Sequence, residues 1–211
     1  MKLTMTSNCR KGFTLIELMV VIAIIGILFT LVSPQISKAR LRGKLTQQAH
    51  HAKSIVEAIL AVEAGSTFST GWPSRSDTNT TSSTDYFVSL VEGGYLDVDY
   101  AFFAGPNMRP AMDRTDFETN PDECNAWSVL LDLNDATPGN LPAVFMRSYN
   151  FSGGGFSDEH LPVGLHGFAF ATKNGAGIIV QQGDMNDSAA FDAIFNRKKL
   201  DAIEGLSIME P

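Results

Sequence analysis

Two hydrophobic patterns follow one another along the first third of the chain. Phe13 to Val32 reads FTLIELMVVIAIIGILFTLV, almost wholly apolar, with Glu17 as its single charge. A run of that length spans a bilayer as a helix. The spacing then changes. Leu41, Leu45, Gln48, Ala52, Ile55, Ile59 and Val62 recur at alternating steps of four and three, the stripe of an amphipathic helix. Gly65 is a stop signal. Together they predict one helix from Phe13 to Ala64, about 78 Å long at 1.5 Å per residue. Its first half suits lipid or other helices, and its second half suits a globular body. Pro34 lacks a backbone donor and should kink or loosen the turn before it.

Beyond the helix the period shortens. Residues 65–84 hold twelve Ser or Thr without regular spacing and read as a loop. Asp85 is placed to cap a short helix from Tyr86 to Glu92, ended by Gly93 and Gly94. Tyr100 to Ala104 is a candidate strand, and residues 105–125 are polar and turn-rich. Trp127, Val129, Leu131 and Leu133 alternate as on a half-buried strand, and Ala143 to Tyr149 is a further one. Phe168 to Thr172 and Ile178 to Val180 flank Asn174-Gly175, a strong hairpin signal. Asp187 to Lys199 reads as a short helix. The fold class expected is α+β: a long amino-terminal helix whose second half packs on an antiparallel sheet. The expected division is a leader at 1–12, a membrane and assembly helix at 13–33, a stem at 34–64 and a head at 65–211.

Charge sharpens this division. The net charge of the 211-residue chain is −7, yet four basic residues (Lys38, Arg40, Arg42, Lys44) follow the apolar run closely. From Leu45 onward nine basic residues face 22 acidic ones, leaving −13. Such a body argues against nucleic-acid binding, which needs lysine and arginine against phosphate. The basic collar fits a solvated helix near anionic headgroups. Two cysteines, Cys9 and Cys124, exclude the disulfide-rich secreted class.

The segment before the apolar run, MKLTMTSNCRK, is polar and basic. An ordinary signal peptide has a shorter apolar core and a small-residue cleavage site after it. Here the small residue, Gly12, precedes the run. Glu17 is costly inside an apolar helix unless it is partnered or reaches water. Cleavage after Gly12 would leave a new amino terminus at Phe13, one helical turn from Glu17.

Lys11-Gly12-Phe13-Thr14-Leu15-Ile16-Glu17 resembles the processing site of type IV pilins and type II secretion pseudopilins. The resemblance covers about the first fifty residues; Gly26 and Pro34 sit where many family helices carry a glycine and a proline. It implies cleavage after Gly12 by a prepilin peptidase and methylation of the new terminus at Phe13. It further implies that Glu17 neutralises a neighbour's amino terminus during assembly, and that the helix breaks between Gly26 and Pro34 in the filament. The implied partners are the peptidase, further copies of the subunit, an inner-membrane assembly platform and lipid. The implied location is the bacterial inner membrane, leader in the cytoplasm and head outside, and then a filament. Cys9 falls within the leader. The competing class is a binding module or enzyme held at the membrane by an uncleaved helix.

Other chemistry is weakly marked. Asp132 and Asp135, and Asp184 and Asp187, form two oxygen-rich clusters that fit a hard cation such as calcium. Neither is an EF-hand loop: Thr137 and Ala189 replace the glycine, Ala143 and Phe195 the glutamate. Turn residues are the better reading, and no cofactor is expected. His160 and His166, near Ser157 and Asp158, lack any surrounding catalytic pattern. His50 and His51 point apart on a helix, which fits surface better than metal ligation. Cys124 lies beside Asp122 and Glu123, which disfavour a thiolate. A structural subunit is expected, not an enzyme.

Overall fold

The structure, a computed structural model, describes residues 13–65, 71–76, 80–150, 155–156, 167–203 and 207–211. It divides into two compact units, Met1–Leu41 and Arg42–Pro211. Helix α1, Leu15–Gly65, supplies the described part of the first unit and enters the second. It is α-helical through both Gly26 and Pro34.

In the second unit the predicted stripe of α1 is the buried one. Leu45, Gln48, Ala52, Ile55 and Ile59 are buried, and Val62 is half-buried. Leu45 and Ala49 of this helix meet Gly167 and Gly177 of a five-stranded sheet ordered β6-β5-β2-β1-β7, built from β1 (Trp127–Leu130), β2 (Pro142–Met146), β5 (Gly167–Thr172), β6 (Gly177–Gln181) and β7 (Ile208–Met209). Every pairing is antiparallel. A separate two-stranded ribbon pairs β3 (Tyr149–Asn150) with β4 (Gly155–Phe156), and its Tyr149 and Phe156 rings meet Phe168 of β5. The class is α+β, a long amino-terminal helix followed by an antiparallel sheet, as the sequence predicts.

Helix and sheet meet where glycine leaves room. A Cβ on Gly167 would overlap the Leu45 methyl groups, and one on Gly177 would stand 2.6 Å from the Ala49 carbonyl oxygen. On the sheet's aromatic side Phe145, Phe168 and Phe170 meet Phe195 of α6 (Ser188–Phe195), with Tyr149 and Phe191 in the same cluster. Most of these rings meet edge to face, the arrangement the ring quadrupole favours.

Several local readings are corrected. Helix α2 runs from Ser83 to Glu92, and its N-cap is Ser82, not Asp85. Asp85 is the third helical residue and completes a reciprocal capping box with Ser82. Tyr100–Phe103 is a 3-10 turn, not a strand. It closes its own bonds, Phe102 N–H to Asp99 O and Ala104 N–H to Ala101 O. Phe103 is thereby held between Phe87 and Phe117, while Phe102 stacks on His51.

Residues 105–125 contain two short helices, α3 (Arg114–Thr119) and α4 (Pro121–Cys124). Arg109 holds them with a bidentate pair to Asp116, at 2.6 and 2.8 Å, and a bond to Glu123. The Arg109 bonds, with Met112 N–H and Asn120, keep the Asp116 carboxyl well below the usual carboxylate range. β1 is buried throughout, not half-buried, because sheet neighbours flank it and α2 packs against it. It ends before Asp132, whose φ of 59° is left-handed. The strand expected from Ala143 to Tyr149 turns at residues 147–148. The helix expected from Asp187 to Lys199 is two, α6 and α7 (Arg197–Asp201), divided at left-handed Asn196. A short helix α5 (Gln182–Asn186) precedes them.

Candidate assembly motif

The amino-terminal motif is built around one helix end. The first N–H groups of a helix have no partner within it, and Ser or Thr followed three residues later by Glu satisfies two of them. Thr14 and Glu17 have that spacing at the start of α1. The Thr14 backbone N–H and its Oγ1 each donate to Glu17 Oε2 at 2.8 Å, and Glu17 N–H donates to Thr14 Oγ1 at 3.3 Å. Sequence reasoning singled out Glu17 and missed Thr14, although Thr-x-x-Glu is itself a readable signal.

Around this box everything apolar is bare. Phe13 is 80% exposed, and Leu15, Ile16, Ile22, Ile25, Phe29 and Leu31 are all exposed. The most apolar eighteen-residue window of α1 has a mean hydropathy of 2.9 and no buried share. By length and composition this helix can cross a membrane. A monomeric soluble protein does not leave such a surface uncovered. A depression of about 390 Å³ lies beside Glu17, lined by Phe13, Ile16, Val20 and Val21. A Cβ on Gly26 would meet nothing within 4 Å, so packing within the chain does not demand glycine there. Gly12 and Cys9 lie outside the described residues, as do Ser157, Asp158, His160 and His166.

Two of the four carboxylates considered for calcium, Asp132 and Asp187, have other work. Asp132 Oδ1 accepts from Ser74 Oγ at 2.6 Å and Arg75 N–H at 3.2 Å, and Arg75 Nε stands 3.7 Å from Oδ2. Asp187 caps α6 by accepting from Ala189 and Ala190. Asp184 lies in α5, and Asp135 in the turn before β2. Among the described residues no three His, Cys, Asp or Glu side chains gather as metal ligands would. Cys124 is buried, and burial pushes its thiol up, away from the reactive thiolate. His51, stacked on Phe102 at 4.2 Å, is pushed down, chiefly by burial.

Comparison with known proteins bears on the same end of the chain. Residues 7–33 match the family model of the prokaryotic N-terminal methylation motif, the signature of type IV pilins and pseudopilins. Neither a curated protein nor a solved structure matches the chain.

Proposed function

We propose that the chain is a structural subunit of a pilus-like filament, a type II secretion pseudopilus or a type IV pilus. Prepilin peptidase cuts it after Gly12, and Phe13 becomes the methylated amino terminus. Residues 1–12 are then the leader, 13–33 the membrane and assembly helix, 34–64 the stem and 65–211 the head. Before assembly the helix sits in the inner membrane, with its amino terminus in the cytoplasm and its head outside. The observation that carries this reading is the carboxylate of Glu17, one turn from Phe13 on a helix whose apolar surface is bare. Lipid covers that surface first, and neighbouring helices cover it in the filament.

Assembly through the inner-membrane platform brings a neighbour's cationic amine to Glu17. A buried charge left alone is costly, and pairing offsets much of that cost. Each arriving subunit therefore relieves the charge of one already in place. In the bundle, neighbouring helices can also satisfy the backbone groups that Pro34 frees, so the segment from Gly26 to Pro34 unwinds there. The secretion pseudopilus is favoured over a DNA-handling pilus, because the head, residues 65–211, holds eight basic residues against 20 acidic ones, a net −12. The subunit does no chemistry of its own, and calcium is not required for its assembly role.

The test is to express Glu17→Ala beside the native chain and analyse sheared filaments. The variant is expected in the membrane, cleaved, but depleted in filaments, with Glu17→Asp intermediate. Incorporation of Glu17→Ala at the native frequency overturns the assembly role.

A further inference from the structure

The sheet of the second unit ends on one side in β6, Gly177–Gln181, with the sequence Gly-Ile-Ile-Val-Gln. At the other end, β7 is followed by Glu210, whose carbonyl accepts from Ser83 N–H, so the start of α2 lies along that side. Among the described residues no strand pairs with the outer side of β6. The hairpin register fixes which groups face outward. Thr172 N–H donates to the Ala176 carbonyl, and Phe170 stands opposite Ile178, and Phe168 opposite Val180. Antiparallel pairs alternate between bonded and non-bonded, so Ile178 and Val180 turn their backbone groups to β5. Gly177 and Ile179 turn theirs to the open edge.

Natural edges are usually guarded by a lysine, a proline or a bulge. β6 has none of these, and Ile179 is 37% exposed. Beside the edge lies a groove of about 240 Å³ lined by Arg42, Leu45 and Thr46 of α1 with Ile179 and Gln181 of β6. Arg42 is exposed and makes no ion pair among the described residues, in a unit rich in carboxylates. Among the described residues an unpaired ladder, an exposed isoleucine and a cation without an ion pair therefore share one place.

We infer that the β6 edge is a docking site for an extended acidic segment of a partner protein, added as a sixth strand. The ladder atoms of Gly177 and Ile179 supply main-chain bonds, the exposed face of Ile179 takes an apolar side chain, and Arg42 selects a carboxylate. A second copy of β6 does not meet this demand, because Gly177 to Gln181 carries no carboxylate and leaves Arg42 uncompensated.

The probes are two blocked octapeptides, one alternating valine with glutamate and one alternating valine with lysine. They are titrated into the full chain in detergent, and amide exchange at Gly177 and Ile179 is followed. The glutamate peptide is expected to bind about tenfold more tightly than the lysine peptide and to slow exchange at Ile179. Arg42→Glu, an exposed change, should reverse the preference. Ile179→Pro removes an outward N–H without breaking the ladder to β5 and should abolish binding; if that variant does not fold, the Arg42→Glu arm still decides. Equal binding of both peptides, a preference untouched by Arg42→Glu, no binding, or protection of Ile179 by rising protein concentration alone overturns the inference.

Discussion

The Thr14 hydroxyl and the Glu17 carboxylate lie 2.8 Å apart, one turn into the chain's longest helix. This contact gives Glu17 two separable duties. As a capping partner it needs only an acceptor oxygen; as a counter-ion for a neighbour's amine it needs its charge.

The two duties come apart by substitution. Glu17→Gln keeps an acceptor near Thr14 and removes the charge. Thr14→Ala keeps the charge and removes the cap, at about 1 kcal/mol of local helix stability. Filaments isolated from cells that also make native chain should hold about tenfold less Glu17→Gln than native, a factor equivalent to about 1.4 kcal/mol. Thr14→Ala should stay close to native frequency. Equal depletion of both variants would assign assembly to the cap instead of the charge.

Helix and sheet approach differently at their two glycines. Gly167→Ala meets the Leu45 side chain, which a shorter residue can relieve, whereas Gly177→Ala meets the Ala49 backbone, which cannot be trimmed. Each single change should cost about 1–3 kcal/mol of stability. Leu45→Val added to Gly167→Ala should recover part of the loss in urea unfolding. No second side-chain change at position 49 should rescue Gly177→Ala.

His51 makes the second unit sensitive to mild acid. Burial lowers its pKa from the ordinary 6.5, and its Nδ1 is buried without a partner among the described residues. The nearby Phe102 backbone partly offsets burial, while His50, adjacent on α1, further disfavours a second positive charge. The folded state therefore binds a proton less readily than the unfolded one. Stability is full above pH 6.5 and falls as the pH drops below it toward the folded value. His51→Phe preserves a stack on Phe102 and removes the titration. Its urea midpoint should change less than the native one between about pH 7.5 and about pH 5.5. The same change in both proteins would place the acid sensitivity elsewhere.

The legible parts of the sequence are those fixed by period or by a short obligatory motif. The stripe from Leu45 to Ile59 shows because a helix packed on one side repeats every 3.6 residues. The Asn174-Gly175 hairpin shows because its turn needs a left-handed residue, which Gly175 supplies with φ 83°. Tyr100–Phe103 reads as a strand because its aromatic residues favour strands, while Phe87, Phe117 and His51 supply the packing that decides its shape. The helices at 114–124 are hidden for a similar reason. They are too short for a period, and Arg109 secures them from outside with Asp116 and Glu123. At the amino terminus Glu17 stands out as a misplaced charge, whereas Thr14 does not, because a threonine beside an apolar run breaks no rule.

The most direct measurement is the mass and sequence of the amino terminus in protein purified from membranes of cells that carry a prepilin peptidase. A chain beginning at Phe13, heavier by one methyl group, is the predicted result, and replacing Gly12 by a bulky residue should instead leave the full-length precursor. Native protein retaining an intact Met1 would contradict the account and favour a module anchored by an uncleaved helix.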